Sequence, residues 1–125
     1  MNNFGIKGRF RCVRALDGHE SIFDNSITQA GLERILDLMG GLSSTTWTDL
    51  RLVGSSSSIF VQKSASFTRA GSTLASQAVF SASELPFAAE SIEMYAGATK
   101  VAEAPVTLMA GQTYYITRED AVTTN

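Results

Sequence analysis

At 125 residues the chain is a single domain, long enough to bury a core without disulfide or metal staples. Its net charge of −2 gives no overall field for nucleic acid or an anionic membrane, and no apolar run approaches the ~20 residues that span a bilayer. One cysteine, Cys12, excludes an internal disulfide and any multi-cysteine metal site, and its neighbours Phe10 and Val13 mark it as a small core residue.

The opening MNNFGIKGRF carries no apolar h-region, so a soluble, non-exported product is expected. Residues 4–15, FGIKGRFRCVRA, alternate: Ile6, Phe10 and Cys12 fall on one face and Lys7, Arg9 and Arg11 on the other. That period of two predicts a half-buried strand, in which Gly5 and Gly8 point to a bulge or a close neighbour. Asp17-Gly18 suits a tight hairpin turn, and residues 21–23 supply a short returning strand.

The stretch NSITQAGLERILDLMGG, residues 25–41, predicts the one helix, over about 28–39. Thr28 is the N-cap, Ile27 can staple onto Leu32, and Gly40-Gly41 end the helix. Leu32, Ile35, Leu36 and Met39 keep the i, i+3, i+4, i+7 spacing of one buried stripe, with Glu33, Arg34 and Asp37 on the wet side. A helix this short is marginal alone in water, so it is expected to lie against a sheet.

Beyond it, TDLRLVG (48–54) is a strand that stops at a Gly/Ser loop. IFVQKSASF and LASQAVFSA follow as strands joined through Gly71, then SIEMYAG (91–97), then two strands joined at Ala110-Gly111. Pro105 places its strand at an edge, because it offers no amide hydrogen. The final AVTTN is expected to fray. Seven or eight short strands separated by turns predict a mainly β fold: one antiparallel β-sandwich, jelly-roll or Ig-like, over residues 1–125.

No residue pattern points to catalysis or a cofactor. His19 is the only histidine, so a hydrolase triad or a metal site would have to use it. Asp17, His19 and Glu20 crowd one turn and do not converge as zinc ligands, so His19 reads as an exposed turn residue. Glu90 and Glu93 lie on opposite faces of a strand and read as a solvated strand end and a surface charge, while Glu119 and Asp120 read as solubilising charges.

Charge is unevenly distributed. Lys7, Arg9, Arg11 and Arg14 precede any acid, whereas from Glu84 onward six acids face two bases. The Lys7, Arg9, Arg11 stripe lacks interleaved aromatics for nucleic acid. It suits either an edge strand guarded by charge or a protein interface with an acidic partner, which the C-terminal third of a second copy could supply. Trp47, in its loop, is the best candidate among the aromatics (Trp47, Tyr95, Tyr114, Tyr115) for a functional contact, its other reading being a residue at the core rim. Tyr114 and Tyr115 point to opposite faces.

Taken in order, NSITQAGLERILDLMGG, LRLVGSSSS, AVFSASELPFAAESIEMYAG and VAEAPVTLMAGQTYYITRED resemble a group of small virion proteins of tailed bacteriophages, described as head-decoration, minor tail or tail-fibre components. The resemblance lies in an N-x-I-T-x-x-G-L helix start and an acidic residue before a glycine-bounded strand. GSSS stands here where the group has GxG, and ESIEM where it has E-x-G-L. It implies a β-sandwich that acts by assembly, as a trimer or ring docked on other capsid or tail proteins, without cofactor, nucleic acid or membrane. It also implies a protein made in the host cytoplasm and located in the virion. The helix would then cover one open face or end of the sandwich. The alternative is a receptor- or carbohydrate-binding module of a tail fibre.

Overall fold

The computed structural model describes residues 4–124; Met1–Asn3 and Asn125 lie outside it. Alternating segments become strands β1 (Phe4–Arg14), β2 (Glu20–Ser26), β3 (Asp49–Val53), β4 (Phe60–Ser64) and β5 (Ser66–Ala70). The remaining strands are β6 (Thr73–Phe80), β7 (Ala89–Ala96), β8 (Thr99–Leu108) and β9 (Tyr114–Thr124), and helix α1 (Gln29–Met39) follows β2. They form two antiparallel sheets, ordered β2-β1-β9-β6-β5 and β4-β3-β7-β8. The sheets pack face to face around Phe10, Cys12, Leu50, Leu52, Phe80, Ile92, Met94 and Ile116, so the expected single β-sandwich is the observed architecture.

The segment read as one strand, residues 59–67, is two. The chain bends at Ala65, and β4 lies at the edge of one sheet while β5 lies at the edge of the other. The Ala65 amide donates to the Thr48 carbonyl at 2.9 Å, and Ala65 packs against the core. Across the sandwich, Ile27 makes an isolated antiparallel bridge to Ala102, tying the chain after β2 to β8. Each sheet is thus linked to the other at both flanks. Pro105 sits in β8, an edge strand, as its missing amide requires. Gly18 (φ +71°) and Gly111 (φ +73°) take the left-handed conformation in the two hairpin turns where sequence placed them. Residues 121–124, expected to fray, pair instead with β1 through Phe4↔Thr124, and Asn125 lies outside the described residues.

One end of the sandwich is plugged. The short 3-10 turn at Ala82–Glu84 leads into Leu85, which is fully buried and accepts a hydrogen bond from the Gly111 amide at 2.7 Å. Glu84 Oε1 accepts from the Ser81 amide at 2.9 Å and from Lys63 Nζ at 3.0 Å, and these contacts hold its carboxyl down at about 2. The opposite end carries α1.

The helix starts as predicted, with Thr28 Oγ1 accepting from the Gly31 amide at 3.0 Å. Its docking face is different. Thr28 also donates its amide to the Val101 carbonyl at 3.0 Å and its hydroxyl to the Lys100 carbonyl at 3.2 Å, pinning the first turn to β8. Gly31 is buried there because a Cβ would come within 2.6 Å of the Val101 carbonyl oxygen. Arg34, expected on the wet side, donates to Ser43 Oγ (2.6 Å) and Thr99 Oγ1 (3.2 Å). With about 100° per residue, a helix seated on Gly31, Arg34, Ile35 and Leu38 turns Leu32, Leu36 and Met39 outward. The predicted buried stripe is therefore corrected: of its four residues, Ile35 alone packs against the core. The staple is corrected too, since Ile27 is buried while Leu32 stays 43% exposed.

Candidate functional site

The basic stripe is not on an edge, because β1 lies between β2 and β9. Arg9 sits directly opposite Glu119 on β9 and donates Nε to its Oε1 at 2.8 Å. Arg11 reaches the same oxygen at 3.4 Å and Glu20 at 3.5 Å. Glu119 of the same chain thus occupies the position expected for an acid of a second copy, and it is a cross-strand partner rather than a free solubilising charge. Lys7 shares this outer face with Arg9 and Arg11. Arg14 does not: it ends the strand and grips Asp17 at 2.6 and 2.9 Å. That grip, with the His19 amide, holds the Asp17 carboxyl below the usual carboxylate range. His19 itself is exposed in this turn, as expected.

Trp47 lies on the other side of the sheet, inside. Along β9 the inward positions are Tyr114, Ile116, Arg118 and Asp120, all buried. Reading Asp120 as a solubilising charge is therefore corrected. Arg118 Nε donates to Asp120 Oδ1 at 3.0 Å, and Trp47 Nε1 donates to Asp120 Oδ2 at 3.2 Å. The guanidinium stacks over the Phe10 ring with its carbon 4.6 Å from the centroid. Gly8, one residue that sequence marked for a close neighbour, leaves the space that the Arg118 guanidinium fills. Trp47 is thus a rim residue of the core, and its ring does not stand on the surface to stack on a sugar. Tyr114 is buried, with its hydroxyl accepting from the Met109 amide at 2.9 Å.

These groups adjoin a partly open cavity of about 600 Å³ at the helix end of the sandwich. Asp120 and Trp47 reach it from within. Ile6, Ile27, Ile35, Leu38, Phe67 and Leu74 make its apolar wall, and Thr46, Arg69, Ser72 and Thr73 also line it. Five separate segments converge here, which is why sequence reasoning missed it. A signal did exist: parity along YYITRED puts Arg118 and Asp120 on the same face as Tyr114 and Ile116.

The second exposed feature is apolar. Leu32 (43%), Leu36 (66%), Met39 (77%) and Leu42 (82%) lie on the outer side of α1 and just after it. Clustered large apolar side chains on a surface mark an interaction site more often than scattered ones do.

Among the described residues, no three His, Cys, Asp or Glu side chains are grouped to hold a metal ion. Burial pushes the Cys12 thiol up to about 12, far from a nucleophilic thiolate at neutral pH. Glu93, expected as a surface charge, is buried; it accepts from the Tyr95 hydroxyl at 2.8 Å and from Lys100 Nζ at 3.3 Å. Burial, then Glu93, raises the Tyr95 phenol above its ordinary value. The Arg51 guanidinium lies between the Phe60 and Tyr95 rings, at 4.1 and 4.3 Å, on that outer face. No helix among the described residues is long and apolar enough to cross a membrane. No protein-family model, curated protein or solved structure matches the chain.

Proposed function

We propose that this protein is a non-enzymatic structural component of a bacteriophage virion, acting by self-assembly and by docking on other capsid or tail proteins. The observation that carries the reading is the outward apolar face Leu32, Leu36, Met39 and Leu42. Leaving four large apolar side chains in water forgoes burial worth roughly 1.5–3 kcal/mol for each one fully covered. A neighbouring subunit recovers that loss. The face lies on a helix fixed to the sheet by Thr28, Gly31 and Arg34, so the surface offered is rigid and binding orders little that is mobile. The sequence resemblance to virion proteins supplies the biological setting, and the charged outer face of β1 then serves as a solvated flank or a secondary contact.

The test is the mass of the native assembly. A trimer or ring is expected, with Leu36→Lys plus Met39→Lys shifting it to monomer while far-ultraviolet circular dichroism stays unchanged. A wild-type protein that remains monomeric at high concentration, and that does not bind phage particles or capsid shells, rules the reading out.

A further inference from the structure

We propose that the cavity at the helix end binds one anionic single-chain amphiphile, a fatty acid, with its hydrocarbon tail inside and its carboxylate at Arg69. Three observations lead there. At about 600 Å³ the space falls in the range of small-molecule sites, and its wall is almost wholly hydrocarbon. The single charged group reaching it from the protein interior, Asp120, is already compensated, since Arg118 takes one oxygen and the Trp47 indole N–H takes the other. The inner part of the cavity therefore offers no charge to a ligand and suits an acyl chain.

Arg69 is different. It lines the cavity from an exposed position on β5 and donates to the Gly71 carbonyl at 3.1 Å, with no ion pair to a carboxylate among the described residues. A guanidinium beside an apolar cavity complements a carboxylate head whose tail runs inward. A neutral apolar molecule would leave Arg69 unused, and a cation would be repelled by it. This site is independent of the assembly face, because it uses the inner flank of α1 (Ile35, Leu38) and not the outer one.

Trp47 makes the test direct, because it is the only tryptophan and it lines the cavity. The probe is cis-parinaric acid, whose polyene accepts energy from tryptophan at close range. Wild-type protein is expected to show saturable quenching of Trp47 with a stoichiometry of one per chain. Arg69→Glu, an exposed change that leaves the core intact, is expected to weaken the acid at least about tenfold, while the corresponding parinaryl alcohol binds both proteins equally. Leu38→Glu, which places a charge in the wall, is expected to abolish binding of both. Absence of saturable transfer in the wild type overturns the proposal, and so does binding that survives both substitutions. Equal weakening of acid and alcohol by Arg69→Glu overturns the assignment of the head group. Assembly is read by mass and ligand by Trp47 emission, so failure of either proposal is seen without the other.

Discussion

The two ends of the sandwich solve the same problem in opposite ways. At one end Leu85 drops between the sheets, the Gly111 amide closes over its carbonyl, and the interior around Phe80, Ala89 and Leu108 is hydrocarbon. At the other, β9 turns Arg118 and Asp120 inward, and a cavity stays open beside them. The plugged end is a packing solution that tolerates exchange of one hydrocarbon for another. The open end holds two charges that are affordable only together, and it positions them from β1, β9 and the loop before β3. A fold built for stability alone would fill both ends with hydrocarbon, and this one leaves the second end open.

The contrast breaks most visibly at Arg118. Removing one partner of a buried ion pair strands the other, so Arg118→Ala should cost about 3–5 kcal/mol in urea unfolding. Replacing both, as Arg118→Met with Asp120→Leu, should be neutral or stabilise by about 1–4 kcal/mol. If the double variant is as unstable as the single one, the cost does not come from stranding one charge of the pair. Next comes Leu85→Ala at the plugged end, expected to cost about 2–5 kcal/mol by lost burial and an unfilled cavity. No second substitution of a polar partner should rescue it, which is the difference between a plug and a pair.

The smallest effect is a pH dependence at the plugged end. Glu84 has its carboxyl lowered from 4.5 to about 2 by the Ser81 amide and then Lys63. Between those two values the native carboxyl holds fewer protons than the unfolded one, so unfolding takes up a proton and stability falls as pH falls. Glu84→Gln should lower Tm above about pH 4.5 and converge with the wild type as pH approaches 2. A constant difference across that window would place the contribution elsewhere.

Period-two alternation made most of the fold legible. Cys12 and Phe10 inside, Gly18 and Gly111 in turns, Pro105 on an edge strand and Thr28 as the N-cap all follow from local rules that the structure obeys. The errors share one cause, which is that local pattern does not reveal the neighbour. The helix carries an apolar arc wider than its contact, and Gly31, the smallest residue, rather than the Leu32/Leu36 row, decides which side meets β8. Position β1 beside β9 rather than at an edge depends on pairing across more than a hundred residues, as in Arg9↔Glu119. Asp120 and Glu93 read as surface charge because one donor to each comes from another segment, Trp47 from the loop before β3 and Lys100 from β8, while the other, Arg118 or Tyr95, sits two residues away on the same strand. The cavity is illegible for the same reason, since its wall is drawn from five separate segments.

The bend at Ala65 and the bridge between Ile27 and Ala102 have a mechanical consequence. Two layers held by side-chain packing alone can shear past one another under load. Here covalent chain hems one flank and a single backbone bridge hems the other, so sliding would require the polypeptide itself to stretch or that bridge to break. A stressed shell or tube built from such units would transmit force through backbone, and the width of the opening at the helix end would hold constant while it did.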